Sequence, residues 1–203
     1  MKTYVASVDG ACTNNGTQHA RASYGVVINL GESDEIQLAG EIKGEVLTNN
    51  VAELTAALVA LKYIVELDPN NPIITIVSDS NYVVKGYQSW LDNWVKNGFK
   101  TSMNTEVTNI ELWKKLYEYK LSHNPQFIWV KGHAGHVGNE MADQLASSTL
   151  KNPEPVKEVV DPIIAEIAKL RKLLNDVAEG LLISNLAKTT QGKYIYDYIK
   201  QNL

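Results

Sequence analysis

The sequence TNNVAELTAALVALKYIVELDPNNPIITIVSD, residues 48–79, indicates a capped helix that leads directly into a buried strand. Thr48 and the two asparagines after it are residue types that cap helix N-termini. Apolar residues then recur at helical spacing over 51–67, and the DPNNP segment ends the helix, since proline cannot continue it. The apolar run at 73–77 is typical of a buried strand, and it stops at Asp79.

Segments on both sides of this unit predict the rest of a domain. Upstream, the segments 3–8, 24–30 and 36–44 have strand patterns and follow one another closely, which favours an antiparallel meander. Downstream, helical patterns at 80–95 and 109–122 precede a strand at 127–130 and a helix at 137–150. The resulting order, βββαβααβα, predicts an α/β domain with a five-stranded mixed sheet flanked by helices.

The C-terminal quarter of the chain has a different pattern. A linker, KNPEP, begins at residue 151 and separates a domain of residues 1–150 from an extension of residues 151–203. From Val156 to Leu181 apolar residues recur at three- and four-residue intervals, which predicts one long amphipathic helix or two joined near Gly180. A shorter helical segment is predicted at 194–199.

Composition excludes several classes of protein. The 203 residues are 44% hydrophobic and 21% charged, which is typical of a globular chain. No apolar run reaches the roughly 18 residues of a membrane span, and the N-terminus lacks the apolar core of a signal peptide. The single cysteine, Cys12, excludes an internal disulfide and a cysteine-rich zinc site. We therefore expect a cytoplasmic protein that does not bind membranes.

The charge balance is acidic, and most of the excess lies in the first domain. The whole chain has a net charge of −4, and residues 1–150 hold 11 basic and 16 acidic residues. Such an excess is unfavourable for binding a polyanion, because contacts to phosphates supply most non-specific affinity. It indicates either a solvated acidic surface or carboxylates gathered around metal ions, and the positions of the acids must decide.

Four acids occupy positions where a site could form. Asp9 ends the first predicted strand and Asp79 ends the fourth, while Glu53 and Asp143 lie in helices. Adjacent strand ends at one edge of an open α/β sheet form the usual crevice for a site. Packed carboxylates repel one another unless a cation or proton intervenes, and their hard oxygen atoms suit Mg²⁺ or Mn²⁺. Taken singly, each acid is better explained by a turn, a helix cap, a dipole contact or an exposed helix position than by a metal site.

The sequence around each acid resembles a motif of the type 1 ribonuclease H family. The four matching segments are DGAC at 9–12 with Asn15, TNNVAEL at 48–54, DSNYV at 79–83, and GHAGH at 132–136 followed by GNEMAD at 138–143. They occur in the family's order, and the resemblance covers about residues 1–150. Each motif is weak evidence alone, but four in register are strong.

This resemblance implies a ribonuclease H-like fold and hydrolysis of the RNA strand of an RNA–DNA hybrid. It implies that the four acids hold two Mg²⁺ ions, with Mn²⁺ as an alternative, across the scissile phosphate, and that the products carry a 5′-phosphate and a 3′-hydroxyl. Two metal ions can activate the attacking water and stabilise the leaving oxygen. The resemblance also assigns His133 to proton transfer or product release, which suits an unperturbed pKa of about 6.5.

The resemblance extends to residues that contact the substrate. Amide side chains that face the 2′-hydroxyls of the RNA strand are implied at Asn15, Asn49, Asn50 and Asn81. A phosphate pocket for the DNA strand is implied at Thr48 and Asn109, and an aromatic groove at Trp90. In the protruding helical handle, residues 80–109, Trp94 and Phe99 are expected to pack in the core.

Two departures from the family pattern predict weak hybrid binding by the first domain alone. The handle has few basic residues, and Val46 stands where many members place an arginine. The extension lies outside the family's core, so the resemblance does not assign it. It could pack its apolar stripe on the domain, self-associate, or grip nucleic acid through Lys169, Arg171 and Lys172.

Two alternative functions stay open at this point. One is the ribonuclease H domain of a reverse transcriptase; against it, the first strand follows Met1 directly, which we expect of a stand-alone nuclease. The other is a catalytically inactive ribonuclease H-like module that only binds nucleic acid or a partner. The presence of all four acids disfavours it.

We expect truncation after Leu150 to weaken engagement of the hybrid. If Lys169, Arg171 and Lys172 grip phosphates, KM rises and the slope of log affinity against log salt falls by about one unit for each lost contact. If the extension pairs two catalytic domains, sedimentation shows loss of a dimer while the slope per domain is unchanged. Unchanged affinity, slope and mass would contradict both roles and leave only packing.

Overall fold

A computed structural model of the chain describes residues 2–31 and 34–151. The helices predicted within the extension, and the roles considered for it, lie outside these residues. No helix in the described part of the chain is long and apolar enough to span a membrane.

The five predicted strands form one mixed sheet, as expected. Their bounds are β1 Thr3–Thr13, β2 Arg21–Gly31, β3 Asp34–Ile42, β4 Ile73–Ser78 and β5 Gln126–Trp129. The strand order is β3-β2-β1-β4-β5. Strands β1, β2 and β3 pair antiparallel as the predicted meander, whereas β4 is parallel to β1 and β5 is parallel to β4. The predicted α/β class with a five-stranded mixed sheet is confirmed.

The first strand is longer than its sequence pattern indicated. We expected it to end at Asp9, but β1 continues to Thr13 because β2 remains paired with it as far as Thr13 opposite Arg21. The parallel pairing with β4, in contrast, stops at Ser7 opposite Val77. Beyond that point β1 has a partner on one side only, and an open edge begins at Asp9.

The helices cover the two faces of this sheet. Their bounds are α1 Asn49–Leu67, α2 Asn81–Lys85, α3 Leu91–Lys96, α4 Ile110–Ser122 and α5 Val137–Lys151. The helical segment predicted at about 80–95 is present over residues 81–96, with a π-helical turn, Gly86–Trp90, between α2 and α3. The ring of Trp113 occupies the space that a side chain on Gly86 would need, so this turn packs closely on α4.

Two glycines show how closely the helices approach the sheet. A Cβ atom on Gly10 would collide with the backbone of Glu53 in α1, and one on Gly25 would collide with the carbonyl oxygen of Ala142 in α5. Gly25 is paired with Asp9, and successive residues of a strand face opposite sides of the sheet. Helix α5 therefore lies on the face of Asp9 and Gly25, and α1 lies on the face of Gly10.

The hydrophobic core fills both layers between helices and sheet. Its largest fully buried aliphatic side chains come from strands β1 to β4 and from α1, with further contributions from the handle and α4: Val8, Val26, Ile28, Ile36, Leu54, Leu61, Ile64, Ile74, Ile76, Leu91 and Leu116. Trp113 is also fully buried and anchors the handle to the domain.

We expect Gly25→Ala to destabilise the fold by about 1–3 kcal/mol, because the added methyl group must push α5 away from β2. Urea unfolding followed by circular dichroism measures this change. Gly44→Ala is the matched control, since its Cβ would meet only Leu47 Cδ2 at 3.5 Å, an ordinary contact. Equal stability of the two variants would contradict the close packing of α5 on β2.

Candidate active site

Three acids meet where the parallel pairing of the sheet stops. Continuing the β1–β4 register by two residues beyond Ser7 and Val77 places Asp9 beside Asp79. One carboxylate oxygen from each of Asp9, Glu53 and Asp79 lies within 4.8 Å of the other two. The adjacency of strand ends that the sequence predicted thus brings together carboxylates of β1, α1 and the residue after β4.

Glu53 reaches this cluster because α1 begins at a fixed place. The Thr48 hydroxyl caps the helix by accepting a 3.2 Å hydrogen bond from the backbone N–H of Val51. Glu53 then falls in the second turn, where the absence of a side chain on Gly10 lets the helix backbone approach β1. A larger residue at position 10 would move the glutamate away from the cluster.

Asp143 joins the cluster from α5, on the opposite face of the sheet. Its charge is near enough to Asp9 to help raise the pKa of that carboxyl group. The Ser147 hydroxyl donates a 3.3 Å hydrogen bond to Oδ1 of Asp143. Oδ2 of Asp143 lies 3.9 Å from Nδ1 of His133. All four acids that the sequence suggested therefore lie together.

His133 is held in an exposed position at the rim. Its backbone φ is +51°, a left-handed conformation, and 82% of its side chain is exposed. The loop around it is tied to α5, because the backbone N–H of Gly135 donates a 2.8 Å hydrogen bond to the Glu140 carboxylate. The imidazole is thus free to contact a substrate while the loop beneath it is fixed.

Sequence reasoning missed the role of Asn139. This residue is only 2% exposed, and its side-chain N–H donates a 3.2 Å hydrogen bond to Oδ2 of Asp79. Gly132 packs against the same oxygen. Oδ2 of Asp79 therefore already accepts a hydrogen bond, which leaves Oδ1 as the freer oxygen. Asn139 belongs to the GNEMAD motif, so the sequence contained a signal for it. The motif's spacing alone did not show that Asn139 binds Asp79.

Burial and mutual repulsion raise the proton affinity of the cluster. The pKa of Asp9 is raised from 3.8 to about 8, first by burial and then by the charges of Asp79 and Asp143. The pKa of Glu53 is likewise raised well above its usual value, by burial and by the charges of Asp9 and Asp79. One oxygen of Glu53, Oε2, is buried without a hydrogen-bond partner among the described residues. A divalent cation would satisfy that oxygen and remove the repulsion, so these residues fit a metal ion.

The residues expected to contact substrate fall into two groups. Asn15, Thr48, Asn49 and Asn50 lie around the start of α1, where the Asn15 side-chain oxygen accepts a 2.9 Å hydrogen bond from the Asn49 N–H. Asn81, Trp90 and Asn109 lie on the handle side: Asn81 opens α2, Trp90 ends the π-helical turn, and Asn109 precedes α4. No hydrogen bond joins the two groups within the described ranges.

The tryptophans of the handle pack against one another and against α4 through tilted and edge-on contacts. Trp90 is 38% exposed and packs on the half-buried Trp94, with ring centroids 5.6 Å apart. Trp94 in turn contacts the buried Trp113 at 5.3 Å. Phe99 is half-buried under the ammonium group of Lys114, 5.9 Å away. Trp90 therefore presents the exposed end of this aromatic cluster.

Comparisons with known proteins agree with this geometry. A family model described as RNase H matches residues 1–151. A ribonuclease H of Jannaschia sp. (strain CCS1) is 40% identical over 148 residues, which are 72% of this chain and 90% of that protein. Among solved structures, LC9-RNase H1, a type 1 RNase H with the type 2 active-site motif, has a TM-score of 0.64 at 26% identity, over 83% of this chain and 82% of that one.

A second solved structure has a similar fold. LC11-RNase H1 in complex with an RNA/DNA hybrid has a TM-score of 0.52 at 20% identity, over 73% of this chain and 99% of that one.

A mixed sheet carrying a carboxylate cluster at the end of its parallel pairing defines a class of hydrolytic nucleases that use divalent metal ions. Within that class the chain belongs to the ribonuclease H family, and it is a ribonuclease H enzyme.

The raised pKa of Asp9 predicts how the metal-free protein responds to pH. Because its folded-state value of about 8 exceeds the ordinary 3.8, the stability that Asp9 contributes is complete below about pH 3.8 and is lost as pH rises to about 8. Without divalent ions, Asp9→Asn should therefore melt higher than the wild type at about pH 8, by about 2–4 °C for each kcal/mol of relieved repulsion.

Differential scanning calorimetry with a chelator present measures this difference. The exposed acid Asp34 supplies the control, because Asp34→Asn should leave the pH dependence unchanged. Addition of Mg²⁺ should reduce the difference in melting temperature between Asp9→Asn and the wild type, because ions that bind the folded wild type stabilise it. A lower melting temperature for Asp9→Asn at pH 8 would show that the cluster is not under repulsion.

Proposed function

We propose that this ribonuclease H hydrolyses the RNA strand of RNA–DNA hybrids with two divalent ions, Mg²⁺ or alternatively Mn²⁺, leaving 5′-phosphate and 3′-hydroxyl ends. The observation that carries the proposal is the group of carboxylate oxygens of Asp9, Glu53 and Asp79 within 4.8 Å of one another, with Asp143 beside Asp9. Four acids held together at an open sheet edge are unfavourable without cations, which explains why a metal-dependent enzyme would keep them.

The ligands would be Asp9, Glu53, Asp79 and Asp143. Two bound ions supply activation of the attacking water and stabilisation of the leaving 3′ oxygen. Asp9 lies at the centre, because it neighbours Asp79 along the sheet, Glu53 from one face and Asp143 from the other. Asp79 would offer Oδ1, since its Oδ2 already accepts a hydrogen bond from Asn139.

His133 would act at the leaving-group side or in product release. Its exposed ring lies beside Asp143, with Nδ1 3.9 Å from Oδ2. A histidine side chain can accept or donate a proton near neutral pH. The ring can therefore hold a proton next to the phosphate and move with the departing product.

The hybrid would lie across both groups of substrate-contacting residues. Around the start of α1 and at the start of α2, the amides of Asn15, Asn49, Asn50 and Asn81 suit 2′-hydroxyl groups, which donate and accept hydrogen bonds. Thr48 and Asn109 would hold a phosphate of the DNA strand, and the exposed face of Trp90 would stack against its sugars. The hybrid seen bound to LC11-RNase H1 supports this class of substrate.

Two alternatives are less well supported. A reverse transcriptase domain is disfavoured because the Jannaschia relative, which is named ribonuclease H, matches over 90% of its own length. An inactive module is disfavoured because it would have no need to hold Asp9, Glu53, Asp79 and Asp143 together. The cytoplasmic location and self-association through the extension stay predictions.

We expect Asp9→Asn to lower kcat about a thousandfold or more, since a lost ligand removes several kcal/mol of transition-state stabilisation and each 1.4 kcal/mol is about tenfold. Gel analysis of a labelled hybrid in Mg²⁺ measures the rate. Asp34→Asn should cleave normally, and circular dichroism should show that both variants fold. Near-normal turnover by Asp9→Asn would exclude the proposed ligand set.

A matched set of duplexes tests the substrate. With one sequence prepared as hybrid, double-stranded RNA and double-stranded DNA, we expect cutting of the RNA strand of the hybrid and almost none of duplex DNA, because DNA lacks every 2′-hydroxyl. Comparable rates on hybrid and duplex DNA would show that the asparagines around α1 and α2 are only turn and cap residues.

A further inference from the structure

Tyr82 joins two parts of the handle that the proposed function uses. It is the second residue of α2, directly after Asn81 and three residues after Asp79. Its ring contacts Trp90 on one side, with centroids 6.3 Å apart, and Trp113 on the other, at 5.4 Å. Its hydroxyl extends to the segment that precedes α4. One side chain therefore links the metal-site strand, the aromatic cluster and the start of α4.

The hydroxyl group of Tyr82 makes three hydrogen bonds. It donates to the backbone oxygen of Thr108 at 3.3 Å, and it accepts from the indole N–H of Trp113 at 3.0 Å and from the side-chain amide of Asn109 at 3.3 Å. A tyrosine hydroxyl has one proton and two lone pairs, so these partners use its full capacity.

This arrangement fixes which way the Asn109 amide points. The Thr108 carbonyl can only accept, and the Trp113 indole can only donate, so the remaining position on the Tyr82 oxygen needs a donor. Asn109 must therefore present its NH₂ group, of which one N–H binds Tyr82 and the other stays available. A phosphate oxygen is an acceptor, so this is the orientation that a phosphate pocket requires.

The backbone of Asn109 is fixed as well. Its φ of +61° lies in the left-handed region, and its carbonyl accepts from the N–H groups of Leu112 and Trp113 at 3.0 and 3.1 Å. Asn109 and Trp113 are one helical turn apart, and the same hydroxyl binds both side chains. Tyr82 thus holds the first turn of α4 and the amide at its start as one unit.

We propose that Tyr82 is a positioning residue for binding of the DNA strand, because its hydroxyl orients the Asn109 amide toward a backbone phosphate. The inference rests on the proposed function, in which Asn109 contacts that phosphate. Tyr82 does not touch the substrate itself, and its effect passes through Asn109.

The chain offers a matched control five residues away. The hydroxyl of Tyr87 is buried and has no hydrogen-bond partner within the described residues, while its ring stacks on Phe127 at 4.0 Å. Tyr87→Phe therefore removes the same atom from a nearby buried ring without removing a hydrogen bond. Tyr82→Phe keeps the contacts of its ring with Trp90 and Trp113.

The test uses the full chain with Mg²⁺ and a hybrid of defined sequence, and it measures KM, kcat and melting temperature for four variants. We expect Tyr82→Phe to raise KM about 3–10-fold, the effect of one lost hydrogen bond, while kcat stays within about twofold. Asn109→Ala should raise KM at least as much. The double variant should match Asn109→Ala, because Tyr82 has nothing left to orient. Tyr87→Phe should behave as wild type.

The outcomes separate this inference from the proposed pocket. If Asn109→Ala raises KM but Tyr82→Phe leaves it unchanged, or if the two effects multiply in the double variant, the inference is wrong and the pocket stands. If Asn109→Ala leaves KM unchanged while the hybrid is still cut, the pocket and the inference both fail, and the metal site stands. A fall in kcat and melting temperature without a change in KM would assign Tyr82 a purely structural role.

Discussion

Repulsion among closely spaced carboxylates is the constraint on which the rest of the structure depends. Asp9, Glu53 and Asp79 have oxygens within 4.8 Å of one another, and burial together with the neighbouring charges raises the pKa of Asp9 to about 8. Such a cluster persists only if the surrounding framework is stiff. The sheet supplies two acids from adjacent strands, and helices on opposite faces supply one each. Close backbone contacts at Gly10 and Gly25 bring those helices near enough.

The proposed binding surface begins next to Asp79, a proposed metal ligand. Asp79 directly follows β4, Ser80 caps α2, and Tyr82 then reaches the start of α4. Tyr82, only three residues after Asp79, therefore already contacts the residues that position the handle. The π-helical turn continues the connection, because it packs Gly86 against Trp113 and leaves Trp90 exposed. Asp79 and Tyr82 are therefore joined by a short covalent path, and a hydrogen bond continues the connection to Asn109.

The sequence predicted the elements well and their contacts poorly. Helix α1 and strands β4 and β5 follow from local periodicity and capping, and the family motifs identified the four acids. The extension of β1 to Thr13 was missed, because it depends on pairing with β2 and not on the pattern of β1 itself. The π-helical turn was missed because Gly86–Trp90 has an ordinary helical pattern. Asn139 and Tyr82 belong to two of the family motifs, but the motifs do not show their partners. Asn139 binds Asp79, 60 residues away in sequence, and Tyr82 binds Asn109, 27 residues away.

The most direct test of the account is a diffraction measurement. Asp143→Asn keeps the shape of a proposed ligand and should slow cleavage, so it can be crystallised with a matched RNA–DNA hybrid and Mn²⁺. An anomalous difference map then locates the ions. The account predicts manganese peaks among Asp9, Glu53 and Asp79, in contact with a phosphate of the RNA strand. Peaks elsewhere on the protein, or a DNA-strand phosphate at the carboxylates, would contradict it.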